Sequence, residues 1–262
     1  MLEEDGSAFY ARRGIATVLY DRLFAAPSIA GDLDYYEALS AALGGRIVDA
    51  ACGTGRIAKA LAHPGRRVLA FDSSTFFIAG LRRELATTPG NGPIVARTDR
   101  LDTFGATGAA DLIAVGYYGF AHLLTAAARE SCFGRLVEGL RRGGRLVIHV
   151  PRHDLLTRHV PPAELAGLSF EHPLASGGVS IRQDAESMTF DPGSGVRTIR
   201  MRYRLLRDEI VLRDERAALH YAAVPPAEIE GLARRHGTRI VRTMAGFRDG
   251  VDSEAVYEIE RT

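Results

Sequence analysis

The residues best placed to do chemistry begin with Asp49 and the glycines that follow it at Gly53 and Gly55. They sit in Ile47-Val48-Asp49-Ala50-Ala51-Cys52-Gly53-Thr54-Gly55-Arg56-Ile57-Ala58. An apolar run ends in an acid, a small-residue turn follows, and then the apolar spacing of a helix begins. Glycine bends sharply and puts no side chain between the main chain and a ligand. The helix beyond offers unpaired N–H groups and a positive dipole end. Strand, bare turn and helix start together make a shelf for a nucleotide-like molecule. Two more acids, Asp72 and Asp99, close later apolar runs. Further on, Tyr117, Tyr118 and His122, and then His149, Arg152 and His153, mix aromatic and titratable side chains at strand ends.

The elements that must position these residues alternate. Strand 47–51 leads to helix 55–63, strand 67–72 to helix 75–87, and strand 94–97 to a short helix or turn near 101–108. Strand 111–115 is followed by helix 123–141, the turn Gly143-Gly144 and strand 145–150. Such alternation predicts a parallel sheet with helices on both faces and ligands at the carboxyl ends of its strands. Before it, Ser7 to Ala26 has the spacing of an amphipathic helix, and Asp32 is placed to cap a second helix through Leu43. After Pro151 the pattern changes. Residues 152–177 read as loop, and three strand-like runs follow, 179–190, 196–206 and 209–222. In the middle run Arg200, Arg202 and Arg204 alternate with apolar residues, the period of a sheet with one wet face. Those arginines are expected to pair with Asp184 and Glu186, or with Asp214 and Glu215. Pro225-Pro226 opens a last helix to His236, and strands 238–244 and 255–260 close the chain as an antiparallel pair.

The chain has 262 residues, 46% of them apolar, and a formal net charge of +1. That balance gives no bulk attraction to nucleic acid. The two cysteines, Cys52 and Cys132, form neither a disulfide nor a metal pattern. The acidic start is the wrong sign for a signal peptide, and no apolar run is long enough to span a bilayer. A cytoplasmic protein without membrane or nucleic-acid partners is the expectation.

Gly53-x-Gly55-x-x-Ala58 with Asp72 further on also fits the dinucleotide fingerprint, which leaves NAD(P) and S-adenosylmethionine both open. Three features separate them. Asp49 precedes the turn, where a carboxylate meets a cationic amino group. Thr98-Asp99-Arg100-Leu101 ends the third strand with an acid where an adenine amino group would lie. The alternation closes in a hairpin rather than a second βαβ half. Taken in order, Asp49-x-x-Cys52-Gly53-Thr54-Gly55, Phe71-Asp72-Ser73, Thr98-Asp99 and Gly143-Gly144-Arg145-Leu146 resemble the motifs of a class I S-adenosylmethionine-dependent methyltransferase. They cover roughly residues 46–150, and the inserted strands resemble the small-molecule, secondary-metabolite branch.

The resemblance implies an α/β fold: a doubly wound, mostly parallel, seven-stranded Rossmann-like sheet with a C-terminal antiparallel hairpin and an inserted β meander. Residues 1–45 would cover the cofactor site, 46–151 and 223–262 would form the core, and 152–222 would be a lid or dimerisation element. It also assigns roles. Asp49 and Ala51, Cys52, Gly53, Thr54 and Gly55 would lie against the methionine half of S-adenosylmethionine. Asp72, with Ser73, would take the ribose hydroxyls, Phe77 the adenine face, and Asp99 the adenine amino group beside Arg100 and Leu101. Val115 and Gly116 would pass close to the methionine moiety, and Tyr20 would roof it. Ala51 and Thr98 stand where the family often has glycine. Plainer roles compete for the same residues. Asp49 and the Asp72-Ser73-Ser74 run also suit helix caps, Cys52 suits packing, and Tyr10 and Tyr20 suit a helix face.

Methyl transfer to an oxygen needs a general base, whereas a neutral amine needs only its lone pair. His122 is the first candidate for a base, since an unperturbed histidine titrates near pH 6.5. Tyr117, Tyr118, Arg152 and His153 are candidates to hold a small-molecule acceptor, and His149 reads as structural. No metal site is expected. The alternatives are an NAD(P)-dependent oxidoreductase, or a methyltransferase-fold protein with a non-methyl or binding function.

Overall fold

The computed structural model describes residues 10, 13–18, 20–23, 31–88, 92–105, 108–174, 178–248 and 252–262. Five strands pair in parallel: β1 (Arg46–Ala50), β2 (Arg67–Asp72), β3 (Ile94–Thr98), β4 (Ala110–Val115) and β5 (Leu140–Pro151). Two more, β10 (Thr238–Met244) and β11 (Glu254–Arg261), pair antiparallel, and β11 joins β5 antiparallel. The sheet order is β10-β11-β5-β4-β1-β2-β3. The strand β4 is buried along its whole length, which is why it reads from Leu112 onward as a continuous apolar run rather than an alternation.

Helices cover both faces. On one side Tyr36 of α3 (Asp32–Leu43), Ile57 and Leu61 of α4 (Arg56–Leu61) and Leu81 of α5 (Thr75–Thr87) pack on Leu112 and Val147. On the other, Phe133 and Leu136 of α6 (Ala126–Gly139) and Ile229 and Leu232 of α9 (Pro226–Arg235) pack with Phe71, Phe104 and Phe120. Phe71 and Phe104 stack at 4.5 Å between ring centroids. The α5 helix starts where Ser74 Oγ accepts the Phe77 N–H at 3.1 Å.

Residues 169–173 and 179–222 carry a separate antiparallel sheet, β6 (Ser169–Pro173), β7 (Val179–Asp191), β8 (Val196–Arg207) and β9 (Ile210–Ala222), in that order. Its wet face carries the expected pairs, Arg202 with Asp214 at 2.9 Å and Arg204 with Asp184 at 2.6 Å. Its other face brings Ile181, Met201, Tyr203 and Leu219 against Ile15 and Ala16.

Four expectations are corrected. The stretch 152–177 is not loop alone: it contains α7 (His153–Thr157), α8 (Pro162–Ala166) and β6, with 175–177 outside the described residues. The β6 strand is largely exposed and carries Glu171 and His172, so it shows no apolar alternation. The expected helix 7–26 breaks at Arg13-Gly14 and resumes as α1 (Ile15–Val18) and α2 (Tyr20–Leu23); most of its remaining residues lie outside the described ones. Glu215 of the inserted sheet takes the Ile15 N–H at 2.6 Å, a tertiary bond that local spacing does not reveal. Helix 123–141 is shorter, because a 3₁₀ turn occupies 119–122 and Thr125 Oγ1 caps α6 through the Ala128 N–H at 3.2 Å. Asp32 does not cap α3. Gly31 stands at that end, and the Asp32 carboxylate is spent on Arg56.

The far end of the sheet is tied by Asp111, at the start of β4. Its buried carboxylate accepts the Arg46 N–H at 2.9 Å and pairs with the Arg46 and Arg141 guanidiniums. Burial pulls its pKa upward, but the two arginines outweigh this and hold it below the ordinary aspartate range. Replacing Asp111 by Ala strands a backbone donor and two cations, and should cost about 2–3 kcal/mol in urea unfolding. Ligand binding at the opposite end of β4, roughly 13 Å away at strand rise, should be unchanged.

Candidate active site

The sheet reverses direction of travel at β1, which lies between β4 and β2. Connections leaving β1 and β4 diverge, and a crevice opens at their carboxyl ends. The turn 51–55 lines it. Ala51, Gly53 and Gly55 all have positive φ, at 57°, 55° and 80°. A Cβ at Gly55 would lie 2.7 Å from the Leu81 methyls, which would have to shift, and the φ of 80° strains any side chain there. At Gly53 an added Cβ would meet only the edge of Tyr20 at 3.9 Å, which leaves the backbone open to a ligand.

Two carboxylates hold the turn. Asp72 accepts the Gly53 N–H and the Ser74 N–H, each at 2.8 Å. Asp49 accepts the Ala58 N–H in the first turn of α4 at 2.9 Å. The plain capping role and a place in the crevice wall thus coexist in both residues. The Asp72 carbonyl also takes the Asp99 N–H at 3.0 Å, which ties the end of β3 to the end of β2.

Two cavities meet over this turn. The larger, about 290 Å³, has Asp72, Ser73, Phe77, Asp99, Arg100 and Leu101 on one side and Tyr10, His122, Leu123 and His220 on the other. The smaller, about 120 Å³, is lined by Asp21, Asp49, Cys52, Thr54, Arg56, Ile57 and Gly116. Tyr20, Ala51, Gly53 and Tyr117 line both. Tyr10 and Tyr20 roof the space, with Tyr20 5.0 Å from the Phe77 ring centre.

Charge is distributed unevenly. Burial pushes Asp49 up to about 7, against the pull of the Ala58 N–H, and burial also raises Asp72. Across the smaller cavity stands Arg56, paired with buried Asp32 through both guanidinium nitrogens, one at 2.9 Å. One end of the crevice therefore presents an acid and a cation together, as the ammonium and carboxylate of an amino acid require. Asp99 is partly satisfied by Arg97 at 3.0 Å and by the Arg100 N–H at 2.8 Å. Burial raises the Cys52 thiol well above its ordinary value, so it packs rather than reacts.

His122 lies in the larger cavity, but not as the base its ordinary pKa suggests. Burial pushes it down to about 4. Its Nδ1 lies 3.0 Å from the His220 carbonyl, an obligate acceptor, so Nδ1 carries the hydrogen. Nε2 then accepts from the Tyr10 hydroxyl at 3.3 Å. This is a neutral, hydrogen-bonded histidine at pH 7.

Five expected site residues line neither cavity. Gly55 forms the turn, and Val115 is wholly buried in the core. Arg152 pairs with Asp154 at 3.0 Å and the Asp252 carbonyl at 2.7 Å, and His153 Nδ1 donates to the Ala223 carbonyl at 3.0 Å. Tyr118 turns inward and donates to Glu254 at 2.6 Å, leaving its stacked neighbour Tyr117, centroids 4.8 Å apart, to face the cavities. Both tyrosines sit in the left-handed region, at φ 37° and 68°, which costs about 1–2 kcal/mol each.

The sequence reading passed over Arg56, His220 and the wall position of Tyr10. Arg56 carried a signal. A cation in the first turn of a helix opposes the dipole and calls for a partner, which is Asp32. His220 arrives from the inserted sheet and has no local signal.

Residues 47–144 match the family of methyltransferase domains. No curated protein matches the chain in sequence. Among solved structures the chain is similar to an S-adenosylmethionine-dependent methyltransferase from Clostridium acetobutylicum, at 13% identity and TM-score 0.72 over 94% of this chain and 96% of that one. It is similar to the CcbJ methyltransferase from Streptomyces caelestis, at 19% identity and TM-score 0.73 over 97% and 98%. It also resembles CalS10, an amino pentose methyltransferase from Micromonospora echinaspora, at 15% identity and TM-score 0.70 over 96% and 98%. At these identities the likeness is one of fold. The matched domain, the fold and the crevice at the ends of β1 and β4 agree: residues 47–144 match a methyltransferase domain, and the chain has the fold of the solved methyltransferases.

Proposed function

We propose that this enzyme methylates a small-molecule acceptor, with nitrogen as the favoured acceptor atom, inside the paired cavities. The observation that carries the reading is the composition of the chamber. The face opposite Asp72 and Phe77 is made of Tyr10, Tyr117, His122 and Leu123 under a roof, with room for a small molecule and no basic surface for a polyanion. One fold relative, CalS10, acts on an amino pentose. In the same reading the protein is cytoplasmic, and the four-stranded sheet serves as lid or subunit contact. No helix among the described residues is long and apolar enough to cross a membrane.

The cofactor, when bound, supplies an electrophilic methyl group on a sulfonium. The protein's own residues bind, orient and exclude water. Asp72 retains lone pairs beyond its two backbone bonds, enough to accept from a ribose diol. Phe77 and Leu101 flank the slot for the adenine, and Asp99 stands at its end. Asp49 and Arg56 would take the amino-acid ammonium and carboxylate. Tyr20 and Tyr117 lie where the two cavities join, and their ring faces favour a sulfonium through cation–π attraction.

Proton transfer decides between acceptor atoms. An oxygen nucleophile of ordinary acidity needs a base competent near pH 7. His122 is pushed down to about 4, and burial pushes the nearby tyrosines upward, so neither kind of group readily removes a proton there. An amine that enters with its lone pair free needs no such base. Alignment and exclusion of water then supply the rate.

Calorimetry with S-adenosylmethionine and with NAD tests the assignment of the crevice. Binding of the first and not the second is expected, and the reverse would rescue the oxidoreductase reading. Asp72→Asn should weaken S-adenosylmethionine binding at least tenfold with little change in melting temperature; an unchanged affinity removes Asp72 from the site. Transfer of label from the cofactor to the small-molecule fraction of a host extract tests the acceptor class, and label confined to protein or RNA would overturn it.

Asp49 makes the affinity depend on pH. Its ionised form pairs with the ligand ammonium, so affinity should fall as pH drops through about 7, and Asp49→Asn should flatten that dependence. In the ligand-free protein the sign is opposite. A carboxyl raised from 3.8 to about 7 binds more protons folded than unfolded in that window, so its contribution to stability falls as pH rises through it. Asp49→Asn should therefore gain stability over the unaltered protein at pH 8 and not at pH 4, as read by thermal unfolding.

A further inference from the structure

Behind the chamber wall lies a buried cluster with no assigned role. Glu254, at the start of β11, and His149, near the end of β5, both have side chains with no exposure. His149 Nε2 is 2.8 Å from Glu254 Oε2, and the Tyr118 hydroxyl is 2.6 Å from Glu254 Oε1. The Tyr118 hydroxyl donates to one carboxylate oxygen, and the His149 ring nitrogen lies at hydrogen-bond distance from the other. Phe247 closes the far side, its ring edge-on to His149 at 5.0 Å.

The same cluster grips the turn that carries Tyr117. The Tyr118 N–H donates to the His149 carbonyl at 3.2 Å, and the Gly119 N–H donates back to the Gly116 carbonyl at 3.1 Å. Tyr117 and Tyr118 are consecutive non-glycine residues with positive φ, a conformation that persists only when its surroundings over-determine it. Here the over-determination is visible. One ring is pinned at its hydroxyl and the backbone beside it at its N–H. The other ring lies stacked on the first at an interplanar angle of 20° and reaches both cavities.

We propose that Glu254, anchored by His149, is a positioning residue: through Tyr118 it holds the Tyr117 ring at the junction between the two cavities. The inference rests on the reading that those cavities take the cofactor and the acceptor. Glu254 touches neither. Its effect passes through the clamped tyrosine pair, and it makes the C-terminal hairpin part of the reaction chamber.

The chain contains no tryptophan, so Tyr117→Trp creates a single fluorescent reporter at the wall. In that background Tyr118→Phe removes only the pinned hydroxyl, and Glu254→Gln keeps the shape and removes the charge. Both should raise the acrylamide quenching constant of the reporter at least twofold, with melting temperature within a few degrees of the parent. A merely structural role would shift melting and leave quenching unmoved. Crystal structures of Tyr118→Phe and Glu254→Gln in the otherwise unaltered protein give the same decision without the reporter, through the φ angles and ring position of residue 117. Unchanged quenching, or an unchanged ring in both variants, overturns the proposal. The quenching needs no ligand. Calorimetry of the unaltered protein with S-adenosylhomocysteine therefore tests the underlying reading separately: a failure to bind condemns the cavity assignment, while the quenching comparison still decides the clamp.

Discussion

The turn at 51–55 depends on two carboxylates, one buried and one half-buried. A chain that bends through three positive φ values in five residues exposes backbone donors, and those donors need acceptors. Asp72 supplies one for Gly53 and Asp49 one for Ala58. The same bonds keep the acids in place, since a buried carboxylate without donors would be costly. Asp99 is drawn into the set because its N–H lies on the Asp72 carbonyl. Three acids on three strands are thus fixed relative to one another by main-chain hydrogen bonds. A ligand that reads them meets a preorganised surface.

The opposite wall follows another principle. It is largely aromatic, and His122, in contact with Tyr10, is held neutral by burial and by a carbonyl on its Nδ1. Acids that bind and aromatics that orient are separated across one cavity. That separation suits a reaction whose leaving group is already activated, because the protein needs to align two molecules rather than generate a strong base.

The acidic side of the crevice was legible from sequence because its residues are local to strand ends. Asp49, Asp72 and Asp99 each close an apolar run, and the alternation of strands and helices puts those ends on one edge. Gly53 and Gly55 were legible because few other residues accept their φ. The aromatic side was not, for a physical reason. Tyr117 and Tyr118 are neighbours of the same type, and only the left-handed turn and the bond to Glu254 decide which faces the cavity. Arg152 and His153 stand at a strand end like the true wall residues, but nearby acceptors at Asp154, Asp252 and Ala223 take their polar atoms. The pKa of His122 is likewise a property of its burial, which residue type cannot report. The β6 strand escaped because an exposed edge strand needs no apolar face.

The roof illustrates how far the chamber depends on distant chain. Tyr10 reaches His122 with its hydroxyl, and its carbonyl accepts from the same Ser74 hydroxyl whose oxygen caps α5. Ile15 is held by Glu215, and Thr54 of the turn donates to Asp21. Each of these attachments is a polar contact over a sequence separation of more than thirty residues, laid over apolar packing that is modest beside that of the central sheet. Elements held this way open at lower free energy than the sheet they cover. The turn at 51–55 is therefore rigid because strands build it, whereas Tyr10, Ile15 and Asp21 are attached by bonds that can exchange with water.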